Sequence, residues 1–112
     1  MKKSLLALGI LAPLALAACV TAPQLPPSST RIAVVEAQKK DIAINRNRGM
    51  ISYEEAARRQ FAIEQASYAL RPSEIRFWNE AIATARMADE GRISKQEYQR
   101  RIQIAYARDV GA

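Results

Sequence analysis

The sequence predicts an all-α protein, in which about four helices form two helical hairpins after a signal peptide and a Pro-rich tether. Three observations support this fold class. From residue 30 onward the chain contains a single proline, Pro72, and is rich in Ala, Arg, Gln, Glu and Ile, which favour helix. Serine, glycine and proline residues divide that region into four segments. No stretch shows the sustained apolar–polar alternation between turns that is typical of a strand.

The first 18 residues have the parts of a secretory signal peptide. Lys2 and Lys3 give a basic start, an apolar run follows, and small residues end the segment. A retained transmembrane helix is the alternative, but Gly9 and Pro13 interrupt the uncharged stretch, and a bilayer needs about 20 mostly apolar residues. We therefore expect this segment to be removed.

The signal region ends in Leu16-Ala17-Ala18-Cys19, which resembles the lipobox of bacterial lipoproteins. In that family the cysteine sulfur receives a diacylglycerol, the peptide is cut just before the cysteine, and the new amine is usually acylated. The resemblance implies that Cys19 is the lipidated first residue; the alternative is a small buried hydrophobic residue. Val20 stands where an Asp tends to hold lipoproteins in the inner membrane, so the resemblance implies the periplasmic face of the outer membrane.

A tether is expected directly after the lipidated cysteine. Pro23, Pro26 and Pro27 lie there among Ser, Thr and Gln residues, a composition that favours an extended chain. At about 3.1 Å per residue, ten such residues span roughly 30 Å. We therefore expect a lipidated N-terminus and tether at residues 19–29 and a small helical domain at residues 30–112.

The charge balance is mildly basic. The chain has 17 Lys and Arg residues against 11 Asp and Glu, and removal of the signal peptide with its two lysines leaves 15 against 11, or +4. For a protein tethered in the envelope, this charge favours anionic lipid head groups, lipopolysaccharide phosphates or cell-wall carboxylates as partners, and not nucleic acid. Because the only cysteine is the lipidated one, the mature chain is expected to have no disulfide.

The first predicted helix starts at the Ser28-Ser29-Thr30 cluster, which can cap it, and runs to about Arg48. Gly49 then ends it, since glycine adopts a left-handed closing conformation most easily. The apolar residues of this helix spread around its axis, so we expect it to pack only partly or to fray.

Capping signals also set the other three helices. The second opens at a capping box formed by Ser52 and Glu55 and ends near residue 70, before Pro72. The third opens at Ser73 and reaches residue 90, where Gly91 stops it. The fourth opens at a capping box at residues 94–97 and extends to about residue 109. Apolar stripes on these helices predict the core. They comprise Tyr53, Ala57, Phe61 and Tyr68; Ile75, Trp78, Ala81, Ile82 and Ala85; and Tyr98, Ile102 and Ala105.

A repeated joint connects the helices of each hairpin. Residues 49–59 align without gaps with residues 91–101, and six of the eleven positions are identical. Gly ends a helix, Ile contacts across the turn, Ser and Glu cap, and two Arg follow. Duplication and convergence on a good joint both explain the match. Residues 89–98 also resemble the SHOCT helical hairpin, although the leucines of that family are absent here. Because that family is associated with oligomerisation, the resemblance implies that this chain could form a homo-oligomer.

The residue types exclude most catalytic chemistry. With no histidine and one lipidated cysteine, the chain lacks Cys/His sites, Ser-His-Asp triads and His or Cys metal sites. Carboxylate pairs, as in glycoside hydrolysis, are an alternative, but the acidic residues lie mostly at helix ends, where capping explains them. Loops that bind Ca²⁺ or phosphate are absent. We expect no catalytic residue, no metal and no cofactor.

The candidate binding residues are two arginine pairs at equivalent places in the two joints, Arg58-Arg59 and Arg100-Arg101. The planar guanidinium group suits phosphate and carboxylate, so these pairs could form a face for an anionic partner. The alternative is a solvated helix surface on which the arginines pair with glutamates four residues earlier. The aromatic residues, which could stack on sugars, are expected in the core.

Together these features predict a membrane-anchored envelope lipoprotein with a small helical binding, assembly or structural module. One alternative is a membrane-active, lysis-type lipoprotein, although such proteins are typically short single amphipathic segments. The second alternative is a cell-wall-directed enzyme that uses carboxylates.

Overall fold

A computed structural model describes residues 29–111, so the signal peptide, Cys19 and almost all of the predicted tether lie outside the described residues. Within the described range the chain forms four α-helices and no strand, which confirms the predicted all-α class. The helices are α1 (Ser29–Asn47), α2 (Tyr53–Ser67), α3 (Pro72–Asp89) and α4 (Lys95–Asp109).

Each helix packs against its neighbour in sequence: α1 with α2, α2 with α3, and α3 with α4. The short connections make successive helices antiparallel, so the two predicted hairpins are present and α2 and α3 join them. The C-terminal ends of α1 and α3 therefore meet the N-terminal ends of α2 and α4. We call this end of the molecule the joint end and define it by residues 46–53 and 89–95.

The core lies where α3 meets α2 and α4. Tyr98 and three smaller residues form one buried cluster, and Phe77 with two alanines forms another. Most of the predicted stripe residues are buried or pack against these clusters, but Ile75 was predicted in the core and is 39% exposed, whereas Phe77 is 6% exposed. Because α3 is covered on two sides, its buried face is wide and is centred on Phe77, Ala81 and Ala85, with Ile75 at its margin.

The start of α3 corrects a second prediction, since Ser73 does not cap this helix. The N-cap is Arg71, and Pro72 occupies the first helical position, where the missing proline N–H has no partner to lose. The Arg71 N–H donates to Glu74 Oε1 at 2.8 Å. The helix before it, α2, ends earlier than predicted because Tyr68 is extended (φ −137°, ψ 157°).

The first helix, α1, packs only partly, as the spread of its apolar residues predicts. It packs on α2 alone, and Val35 is its one buried residue, whereas Ile32 and Val34 are exposed. Its contacts with α2 include an ion pair of 2.8 Å between Lys39 Nζ and Glu64 Oε2. No helix among residues 29–111 combines the length and the apolar character that crossing a bilayer requires.

Candidate functional site

The two joints have the same backbone geometry. Gly49 and Gly91 both have positive φ, 76° and 73°. In the first joint the Gly49 N–H donates to the Arg46 carbonyl at 3.0 Å and the Met50 N–H to the Asn45 carbonyl at 2.9 Å, which is the Schellman pattern. The equivalent bonds of the second joint measure 3.1 and 2.9 Å. The sequence repeat is therefore also a structural repeat.

The serine of each joint caps the following helix. Ser52 Oγ accepts from the Glu55 N–H and Ser94 Oγ from the Glu97 N–H, both at 3.0 Å. The backbone angles of the two serines agree within 3° (φ −72°, ψ 166° and φ −75°, ψ 165°). Within the described residues the two glutamate side chains accept from arginines instead of from the serine N–H groups, so each predicted capping box has only its serine half.

The joints differ in how the first amides of the next helix are satisfied. The Asp89 carboxylate, at the end of α3, accepts from the Tyr53 N–H and the Glu54 N–H, each at 2.8 Å. A carboxylate is favourable at this positive end of the helix dipole. The corresponding amides of α4, those of Lys95 and Gln96, meet no side-chain acceptor in the part of the chain that the structure describes. Sequence reasoning missed this role of Asp89, because it depends on how α2 and α3 pack.

The arginine pair of α2 is engaged by its own helix. Glu54 accepts from Arg58 Nη2 at 2.9 Å and from Arg86 Nη2 of α3, also at 2.9 Å. These two guanidinium groups, Arg86 first, lower the pKa of the Glu54 carboxyl to about 2. The second member of the pair, Arg59, donates from Nε to Glu55 Oε2 at 2.7 Å. Each of the two arginines has a carboxylate partner within one helical turn.

The arginine pair of α4 shares one carboxylate. Glu97 accepts from Arg100 Nη2 and from Arg101 Nε, both at 2.7 Å, and these contacts lower its pKa to about 2. The side chains of the four predicted arginines are 42–62% exposed. No ion pair within the described residues links the pair of α2 with the pair of α4. The predicted binding residues are therefore accessible, but their charges are compensated locally.

A different set of cations lies at the joint end. Arg46, Arg48 and Lys95 have no carboxylate within 4 Å among the described residues. The Arg46 Cζ atom and the Lys95 Nζ atom lie 5.1 and 5.8 Å from the centroid of the Tyr53 ring. That ring packs edge-on against the buried Tyr98 ring at a centroid distance of 5.0 Å. Burial raises the pKa of Tyr98, and the nearby Arg46 guanidinium opposes that shift.

The first joint also exposes an apolar side chain at its tip. Met50 is 67% exposed and follows Arg48 and Gly49 in the turn. The matching position of the second joint is Arg92, whose Nη1 lies 3.5 Å from Glu90 Oε1. The first joint therefore presents a cation and a methionine where the second presents an ion pair.

A second charged cluster fastens the end of α4 to α3. The buried Asp109 carboxylate accepts from Arg108 Nη2 at 2.7 Å and from Arg76 Nη2 at 3.0 Å. Arg108, and then Arg76, hold the pKa of Asp109 down at about 2 against the opposing effect of burial. Arg108 also donates to Glu80 on α3. This arrangement explains the position of Asp109 as a structural contact between the two helices.

The described residues contain no group of three or more His, Cys, Asp or Glu side chains that could hold a metal ion. Comparison with family models, curated proteins and solved structures gives no match for this chain.

Proposed function

We propose that this protein is a lipoprotein of the bacterial envelope, anchored by lipid on Cys19, and that its helical domain is a binding or assembly module. The observation that carries the proposal is the sequence Leu16-Ala17-Ala18-Cys19 at the end of a signal peptide. The anchor fixes the compartment, because the helical domain would remain beside the bilayer that holds the lipid. By the resemblance, that bilayer is the outer membrane and the domain lies on its periplasmic face.

The state of the carboxylates supports a binding module over the carboxylate enzyme. A general acid for glycoside hydrolysis needs a raised pKa and a partner carboxylate across a cleft. The pKa values of Glu54, Glu97 and Asp109 are instead lowered, and arginines occupy their oxygens. These side chains serve contacts within and between helices.

The open packing of the helices supports a role in association. Ile32 and Val34 are exposed on α1, and the buried clusters are small for a domain that must be stable alone. A homo-oligomer or another envelope protein would cover such surface. The antiparallel, capped helices differ from the single amphipathic segment that is typical of lysis-type lipoproteins.

Metabolic labelling with a fatty acid tests the anchor. Wild-type protein should carry the label, and Cys19→Ser should lose it and accumulate as the uncut precursor, since both processing steps require that thiol. A matched control, Cys19→Ser combined with Ser28→Cys, restores a thiol nine residues downstream and should remain unlabelled. Label on the Ser variant, or none on the wild type, would refute the proposal.

A further inference from the structure

Three of the cations that have no carboxylate partner among the described residues lie at the joint end, and there Arg46 donates from its Nε to the uncharged Asn47 Oδ1 at 3.1 Å. Arg46 and Arg48 lie in the last turn of α1 and just beyond it, and Lys95 begins α4. Of the two acidic residues at the joint end, Asp89 accepts from two amides of α2 and Glu90 pairs with Arg92. The joint end therefore offers positive charge to a partner without first breaking an internal ion pair.

An apolar side chain accompanies this charge. Met50, at the tip of the first joint, follows Arg48 by two residues and is mostly exposed. An exposed methionine at the same end of the molecule as several cations suits the boundary of a bilayer, where the apolar group enters the head-group region and the cations meet lipid phosphates. Carboxylates of the cell wall would attract the same cations, but they would provide no apolar environment for the Met50 side chain.

The lengths of α1 and of the predicted tether are also compatible with a bilayer at the joint end. With a rise of 1.5 Å per residue, α1 places Ser29 roughly 28 Å from the joint end. The tether predicted from the sequence spans roughly 30 Å. A domain that rests with its joint end on the anchoring bilayer would thus hold Ser29 at a height that the tether can bridge.

From these observations we propose that the joint end is a docking surface for the anionic head-group layer of a bilayer. Met50 enters the interface, and Arg46, Arg48 and Lys95 contact lipid phosphates. The inference rests on the proposed function in one respect, because the lipid anchor is what keeps the joint end near a bilayer. It also assigns the contact to residues other than the arginine pairs.

Flotation with vesicles tests this surface on the mature chain without its lipid, residues 20–112, which contains all four helices. Wild-type protein should bind vesicles in which about a third of the lipid is phosphatidylglycerol, should not bind pure phosphatidylcholine, and should dissociate as salt increases. Arg48→Gln with Lys95→Gln should lower the partition coefficient roughly 30-fold, at roughly fivefold for each cation. Met50→Ser should lower the coefficient and leave its salt dependence unchanged.

The matched control is Arg58→Gln with Arg100→Gln, which removes the same charge from positions that have carboxylate partners. It should lower the partition coefficient by less than about threefold. Circular dichroism verifies that all variants keep their helix. Absence of binding to the anionic vesicles, or equal losses in the two double variants, would overturn the proposal.

A parallel sedimentation experiment with isolated cell-wall sacculi distinguishes binding to the cell wall from binding to lipid. If the chain sediments with sacculi, loses this binding in the Arg48/Lys95 variant and ignores vesicles, the partner is the wall and the lipid assignment is wrong. These binding measurements use protein without its lipid, so they are independent of the labelling of Cys19. The docking surface can therefore be refuted while the lipid anchor is confirmed, and the anchor can be refuted while the docking surface is confirmed.

Discussion

The flanks of α2 and α4, defined by the arginine pairs Arg58-Arg59 and Arg100-Arg101, and the joint end are both rich in cations, but they differ in what surrounds each charge. On the flanks, a glutamate three or four residues before each arginine accepts its hydrogen bonds. At the joint end, Arg46, Arg48 and Lys95 have no acidic residue three or four positions away in either direction. The comparison teaches that a glutamate three or four residues before an exposed arginine engages it within its own helix, whereas the cations of the joint end have no such neighbour and are available to a partner.

The most damaging single change to the joint end should be Gly91→Val. Valine cannot adopt the positive φ of this residue without a penalty of about 1–2 kcal/mol. No heavy atom lies within 4 Å of where a Cβ would stand, so the penalty is conformational and not a clash. Thermal unfolding should show a midpoint lowered by about 10 °C.

A matched variant sharpens this prediction. Asparagine tolerates the left-handed region better than valine, so Gly91→Asn should lower the midpoint by less. If valine leaves the midpoint unchanged, Gly91 does not close α3 in the way described, and the equivalence of the two joints fails.

A smaller loss of stability is expected from removing the serine caps, and it should differ between the two joints. Ser94→Ala removes the only side-chain cap of α4 among the described residues and should lower the free energy of unfolding by about 1 kcal/mol. Ser52→Ala should lower it less, because Asp89 still holds the first turn of α2. Chemical denaturation measures both. In the background of Asp89→Asn the Ser52 variant should become as costly as the Ser94 variant, and equal losses without that change would contradict the proposed support by Asp89.

Local signals in the sequence were enough to predict four helices, both glycine stops and both serine caps. These features depend on residues within one turn of each other, as in the Ser52 and Ser94 caps. The pairing of Arg59 with Glu55 and of Arg101 with Glu97 was the alternative to a binding face, and its spacing is confirmed.

Features that depend on contacts between helices were missed. The exposed Ile75 and the buried Phe77 reflect how α3 is covered by two neighbours, and a single-helix stripe does not contain that information. Likewise, Glu54 binds Arg86 and Asp89 caps α2 only because α2 and α3 are antiparallel. The sequence did contain one local signal that the cations of the joint end lack ion pairs, because no acidic residue lies three or four positions from them along the chain.

Titration of the carboxyl groups of Glu54 and Glu97 by NMR tests most directly whether the flank arginines are held internally. The ordinary pKa is 4.5, and both folded values are lowered to about 2. With folded values below unfolded ones, these pairs stabilise the protein above about pH 4.5, and their contribution disappears as the pH falls through about 2. The account predicts midpoints near 2 in the wild type and a higher midpoint for Glu54 in Arg58→Gln with Arg86→Gln. Wild-type midpoints near 4.5 for both glutamates would contradict it, since the four flank arginines would then be free to bind a partner.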